Sequence, residues 1–187
     1  MSATVAALPP RNENGFVVGR YCVDPADIER TICVLPDAAH RAALWAEWQE
    51  LTRIVQQEVG PVAACWLSGS FFTDKQTPGD IDALYVIHHK VLEDVDPASH
   101  GAQIVDIMSN FKVKDVLGLR VDAPILPWWP RPGVRKGNNA DRLERYLQQR
   151  GYWDDLWSRV RDNAHPKEDS LIRRGYLEVI VDGYQHP

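Results

Sequence analysis

Two aspartates, Asp80 and Asp82, stand two residues apart at the mouth of an apolar run, in "GDIDALYVIH". Side chains alternate along an extended strand, so this spacing turns both carboxylates to one face and Ile81 to the other. Their Cα atoms then lie roughly 6.6 Å apart. Carboxylates that close repel each other when buried bare. A divalent cation between them removes the repulsion. Mg²⁺ is hard, prefers oxygen ligands, and is usually held by one or two carboxylates together with substrate phosphates. The pair predicts a metal clamp that expects a phosphate-bearing partner.

A second half-site lies upstream. The apolar run "VAACWLS" (62–68) stops at Gly69-Ser70. Glycine lets the backbone approach a ligand closely, and the free N–H groups of a helical start point at anions. Ser70 adds a hydroxyl, and Lys75 in the following loop is a counter-charge for a triphosphate. Thr73 and Asp74 read as turn formers. A third carboxylate is expected on a neighbouring strand. Asp122 in "LRVDAPIL" fits, since a bare charge between apolar residues is costly. In a two-metal arrangement the ions sit roughly 3.5–4 Å apart. Asp80 and Asp82 would bridge them. Asp122 would hold the ion beside the acceptor hydroxyl and help deprotonate it. The bland alternative is that Gly79-Asp80 closes a turn and Asp82 caps an edge strand.

The elements that must position these groups follow from periodicity and breakers. Residues 1–14 read as a flexible or loosely docked arm, with Pro9-Pro10 and Asn12, Asn14, Gly15 as breakers. Asp24-Pro25 opens a short helix to about Val34. A longer helix follows Pro36-Asp37. Its stripe of Leu44, Trp48, Leu51, Val55 and Val59 ends near Gly60. Strands are expected at 62–68, 80–88 and 119–126, the last stopped by Pro127, with a helix at 97–111. After the Pro/Gly-rich segment 127–139, helices are expected at 141–149 and 153–160, then a strand at 175–184. The fold class is mixed α/β (α+β): one domain over 15–187, with its core at about 61–126 and C-terminal helices and strand over 139–184.

Composition bounds the rest. The chain has 187 residues, 44% hydrophobic and 25% charged, as in an ordinary globular domain. Cys22, Cys33 and Cys65 are scattered and odd in number, which favours a reducing, cytoplasmic setting over disulfides or zinc. No apolar run is long enough for a membrane span, and the first residues lack a signal peptide's pattern. A net charge of −5 argues against tight sequence-blind binding to duplex nucleic acid.

Leu67, Gly69, Ser70, a nine-residue spacer, Asp80-Ile81-Asp82-Ala83 and Asp122 together resemble the DNA polymerase β-like nucleotidyltransferase superfamily. "GSFFTDKQTPGDID" looks most similar to its small stand-alone bacterial and phage members. Ser68 departs from the pattern, where an apolar residue is common. The resemblance spans about Pro61 to Leu126. It implies a mixed sheet with helices packed on it, and Mg²⁺-dependent transfer (Mn²⁺ can substitute) of a nucleoside monophosphate, often AMP from ATP, to a hydroxyl. The acceptor would be RNA or tRNA, a protein or a small molecule. The small members also resemble toxin–antitoxin or phage-defence components, which implies a protein partner. The rival reading is an inactive nucleotide- or partner-binding module of antitoxin type, with the tryptophan-rich helices as its surface.

Other residues carry weaker signals. Arg131, Arg135 and Lys136 could hold a triphosphate or an RNA backbone, or be a solvated loop. Trp128-Trp129 and Trp153/Trp157 could stack on a base, though packing on the sheet is the plainer expectation. Trp45 and Trp48 belong to the long helix, either in the core or facing a partner. His88 and His89 read as a polar strand end. Glu144, Arg145, Asp154, Asp155, Arg173 and Arg174 read as solvated charges.

Overall fold

Short apolar runs alternate with helical stretches in the computed structural model, which describes residues 11–130, 140–161, 166–167 and 169–185. In chain order they form β1 (Arg20–Val23), α1 (Pro25–Ile32), α2 (Ala38–Glu58), β2 (Val62–Ser68) and a 3-10 turn (Ser70–Phe72). Then come β3 (Ile81–His88), α3 (His89–Glu93), α4 (His100–Ser109) and α5 (Val113–Leu117). The chain ends with β4 (Val121–Asp122), β5 (Ile125–Trp128), α6 (Ala140–Trp157) and β6 (Tyr176–Ile180). The strands make one six-stranded mixed sheet in the order β1-β6-β2-β3-β4, with β5 also beside β3. This is the expected mixed α/β class. Among the described residues no helix is long and apolar enough to cross a membrane.

The strand period of two sorts side chains between two cores. Leu67, Ile81, Ala83, Tyr85 and Leu177 face α2, whose Leu44, Trp45, Trp48, Leu51 and Val55 cover that side. Ala64, Trp66, Leu84, Val86 and Tyr176 face the other way, where Leu143, Tyr146, Leu156 and Trp157 of α6 cover them. β2 and β3 are covered on both faces, which is why both read as nearly continuous apolar runs.

Four expectations are corrected. The strand expected at 119–126 is two strands. Its break falls at Ala123-Pro124, where the Pro124 carbonyl still accepts from Tyr85 N at 2.9 Å. Pro127 does not stop β5; it sits within it, opposite Ile87, since an edge strand tolerates a missing donor. The two C-terminal helices are one, running through Gly151, which is exposed and meets nothing. A lone helical glycine costs only about 1 kcal/mol. The last strand ends at Ile180, because the backbone N–H groups of Val181, Asp182 and Gly183 turn back onto Val62 and Ala63 carbonyls.

The end of the expected N-terminal arm docks. Arg11 bridges Val17 and ion-pairs with Asp74, and Asn12 Oδ1 accepts from Asn14 N and Phe16 N at 3.0 Å each.

Candidate active site

The register of three strands assembles the site. Asp82 on β3 lies opposite Ser68 of antiparallel β2 on one side and opposite Asp122 of parallel β4 on the other. Asp82 shares the α6 face with Leu84 and Val86, and Asp80 immediately precedes β3 in the same phase. Val121 and Ala123 flank Asp122 and pack in the α2 core, so Asp122 takes the opposite face. Asp80 and Asp82 are half-buried and Asp122 is exposed.

Gly69 turns the chain out of β2 at φ +86°, in the region that disfavours side chains. A Cβ there would overlap Asp82 Oδ2 and come within 2.8 Å of its Cγ. Glycine is what allows the Asp82 carboxylate to lie against the backbone at this point. The 3-10 turn follows, as the sequence predicts, with Phe71 and Phe72 buried and Ser70 partly exposed. The Ser70 hydroxyl has no hydrogen-bond partner among the described residues.

Helix α2 holds this loop from behind. Arg41 is fully buried, and its guanidinium donates to carbonyl oxygens of Pro36 (2.7 Å), Phe71, Thr73 (3.0 Å) and Lys75. One residue earlier, His40 Nε2 lies 2.7 Å from the Pro78 carbonyl. Two turns on, Glu47 accepts from Arg120 N at 2.7 Å and from its guanidinium. One helix therefore fixes the Gly69–Lys75 loop, the approach to Asp80 and the approach to Asp122.

The sequence names Arg41 only indirectly. It falls in phase with Leu44, Trp48, Leu51 and Val55, so the apolar stripe places an arginine in the core. Burial lowers its pKa first, with Arg11 adding to this and Asp37 and Asp74 opposing it.

None of Asp80, Asp82 and Asp122 makes a hydrogen bond or ion pair among the described residues. Burial, then the Asp82 charge, push Asp80 above its ordinary value, while Lys75 and Lys114 pull it back. Burial, then Asp82 and Asp80, push Asp122 up, against Lys167 and Lys114. Asp80 feels the Asp82 charge, and Asp122 feels both Asp82 and Asp80, which links the three electrostatically. Lys75 is exposed in the loop, with its backbone carbonyl held by Arg41.

Arg174, read from the sequence as a solvated charge, is in the site region. It is only partly exposed and lines a narrow crevice with Ser68, Gly69 and Thr73; burial lowers its pKa, and the Asp82 charge opposes this. Nothing in "RRGY" marks it apart from Arg173, which is exposed and pairs with Asp155. Asp154 is also not free: it accepts from the Tyr176 hydroxyl at 2.6 Å and from Arg20.

The tryptophans pack. Trp45 and Trp48 stack in the α2 core, while Trp157, the last residue of α6, is buried on the other face of the sheet, with Trp128, Trp129 and Trp153 against the same cluster. His88 caps α3 through Nδ1, and His89 stacks on Trp129 with ring centres 3.6 Å apart. Arg131, Arg135 and Lys136 lie outside the described residues.

Among the described residues no group of three or more Asp, Glu, His or Cys side chains is gathered so as to hold a metal ion. The carboxylates instead make an open row of hard oxygen donors. Such a row suits Mg²⁺, which completes its shell with water and substrate phosphates.

A family model described as a family of unknown function, DUF6932, matches residues 8–180. No curated protein and no solved structure matches the chain. With nearly its whole length matched, the chain belongs to the DUF6932 family.

Proposed function

We propose that this protein is a metal-dependent nucleotidyltransferase of polymerase β-like fold, moving a nucleoside monophosphate from a nucleoside triphosphate to a hydroxyl. The observation that carries the reading is the row Gly69, Asp82, Asp122. There a glycine cradle and two carboxylates meet by strand register, and no protein cation pairs with the carboxylates among the described residues. Carboxylates brought together without an ion-pair partner repel one another, and a bound cation would relieve this.

Asp80, Asp82 and Asp122 would hold Mg²⁺ or Mn²⁺, whose bound form neutralises charge on the phosphates and on the attacking oxygen. The backbone at Gly69-Ser70 and the Lys75 side chain receive the phosphate chain. The acceptor O–H lies on the Asp122 side. Its oxygen forms a bond to the α-phosphorus, the bond from that phosphorus to the α–β bridging oxygen breaks, and pyrophosphate leaves. The hydroxyl proton passes to the Asp122 carboxylate and then to solvent. ATP is the favoured donor. RNA or tRNA and protein are the favoured acceptors, in a toxin–antitoxin or phage-defence setting.

Ser68, standing where the resemblance expects an apolar residue, supports a second reading, a nucleotide- or partner-binding module without transfer. One experiment separates them. The protein is incubated with labelled triphosphates, Mg²⁺ or Mn²⁺ and cell extract, and label on RNA or protein is followed alongside pyrophosphate release. The transferase reading expects label that Asp80→Asn and Asp82→Asn each reduce at least about 100-fold. Nucleotide binding without transfer would favour the module, and no nucleotide binding would remove both.

A further inference from the structure

We propose that Arg174 contacts the terminal phosphates of the donor and gives the cleft its direction. The inference rests on the nucleotidyltransferase reading above and adds to it which end of the site takes which substrate.

Read across the sheet in the order β6, β2, β3, β4, one end carries in turn Arg174, Gly69, Asp82 and Asp122. Arg174 stands two residues before β6. Its backbone N–H donates to the Ser158 carbonyl at 2.9 Å and its Nε to the Trp157 carbonyl at 3.4 Å. Those bonds hold the stem of the side chain. The two terminal nitrogens have no hydrogen-bond partner and no ion pair among the described residues. They are also not sealed off from solvent, since they are absent from the buried unpaired atoms. The guanidinium is thus partly recessed at the end of the row, with its two terminal nitrogens unpaired and in reach of solvent.

A carboxylate does not satisfy it: Asp82 is felt through space but lies beyond ion-pair distance. A recessed guanidinium with a free fork matches phosphate oxygens in bidentate geometry. The row is therefore polar. Arg174 and the Gly69-Ser70 backbone attract anions at the β6–β2 end, and the carboxylates attract cations at the β3–β4 end. The β- and γ-phosphates lie toward Arg174, the α-phosphate lies at Asp82, and the acceptor enters from Asp122. The cleft takes nucleotides with a di- or triphosphate chain and discriminates against monophosphates.

The test measures binding of ATP, AMP and inorganic pyrophosphate by calorimetry, with Mg²⁺, for wild type, Arg174→Gln and Arg174→Lys. Arg174→Gln is expected to weaken ATP and pyrophosphate about 10- to 100-fold, as for loss of a charged hydrogen bond, with AMP little changed. Arg174→Lys is expected to fall between. Asp122→Asn should keep ATP affinity within a few-fold while losing transfer. A parallel measurement needs no variant: phenylglyoxal modification of Arg174 in the wild type, read by peptide mass, should be suppressed by pyrophosphate and not by AMP. Unchanged ATP affinity in a folded Arg174 variant, or modification that pyrophosphate does not slow, overturns this inference and leaves the transferase reading standing. Wild type that binds neither ATP nor pyrophosphate overturns both.

Discussion

Gly69 and Asp82 meet at the end of the β2–β3 ladder so closely that any side chain on Gly69 would displace the carboxylate, its Cβ falling 2.8 Å from Asp82 Cγ. The contact joins the two halves of "SGSFFTDKQTPGDID". The backbone proposed to receive phosphates and the carboxylate proposed to hold a metal share one van der Waals boundary.

Gly69→Ala should therefore remove function more than stability. The positive φ and the overlap together cost about 1–3 kcal/mol. The Asp82 side chain must also rotate away to make room. Urea unfolding should show the modest loss, while nucleotide transfer falls by at least about 100-fold. Transfer preserved within a few-fold would show that the Asp82 rotamer is unimportant.

The carboxylate cluster should weigh against the metal-free fold at neutral pH. Asp80 and Asp122 hold their protons more firmly folded than unfolded. Their stabilising contribution is fully present below the unfolded value near 3.8 and is lost as pH rises through the raised folded value. Asp80→Asn and Asp122→Asn should each stabilise the metal-free protein at pH 7. The gain should stay below about 1 kcal/mol, because solvent screens both groups. Urea melts at pH 7 and pH 4 check this: the advantage over wild type should shrink at the lower pH.

Glu47 should behave in the opposite sense. The hydrogen bond from Arg120 holds its carboxyl below the ordinary value. Its contribution is present above the unfolded value near 4.5 and lost as pH falls through the depressed folded value. Glu47→Gln should cost about 1 kcal/mol at pH 7 and less in acid. By releasing Arg120 it should also loosen Asp122, lowering transfer about tenfold with donor binding retained. Equal loss of donor binding would mean that Glu47 acts on the whole fold.

Arg41→Met should cost about 2–4 kcal/mol, since carbonyls of Phe71, Thr73 and Lys75 lose their donor. The local effect is cleavage: limited proteolysis should nick the 73–79 loop much faster than in wild type at equal global stability, with urea used to match the two. An unchanged cleavage pattern would separate Arg41 from the loop.

Local chemistry made much of the site legible. The bounds of β2 follow from Pro61 and Gly69, and the two-residue spacing of Asp80 and Asp82 fixes their shared face. Asp122 was identifiable as a charge in an apolar strand, and the register places it beside Asp82. The place of Arg174 at the end of this row was not, because it depends on β6 pairing with β2 across more than a hundred residues. α3 and α5 are five residues each, too short for a helical period to show. β1 is mostly exposed, so it has no apolar alternation to betray it.

Strand register has a last consequence, during folding. A slip of one residue by β3 would drive Asp82 into the α2 core and turn Ile81 and Ala83 to the α6 face. The charges at the mouth of β3 thus act as proofreaders: only the chain that has paired its strands correctly can both close its core and keep these carboxylates in water.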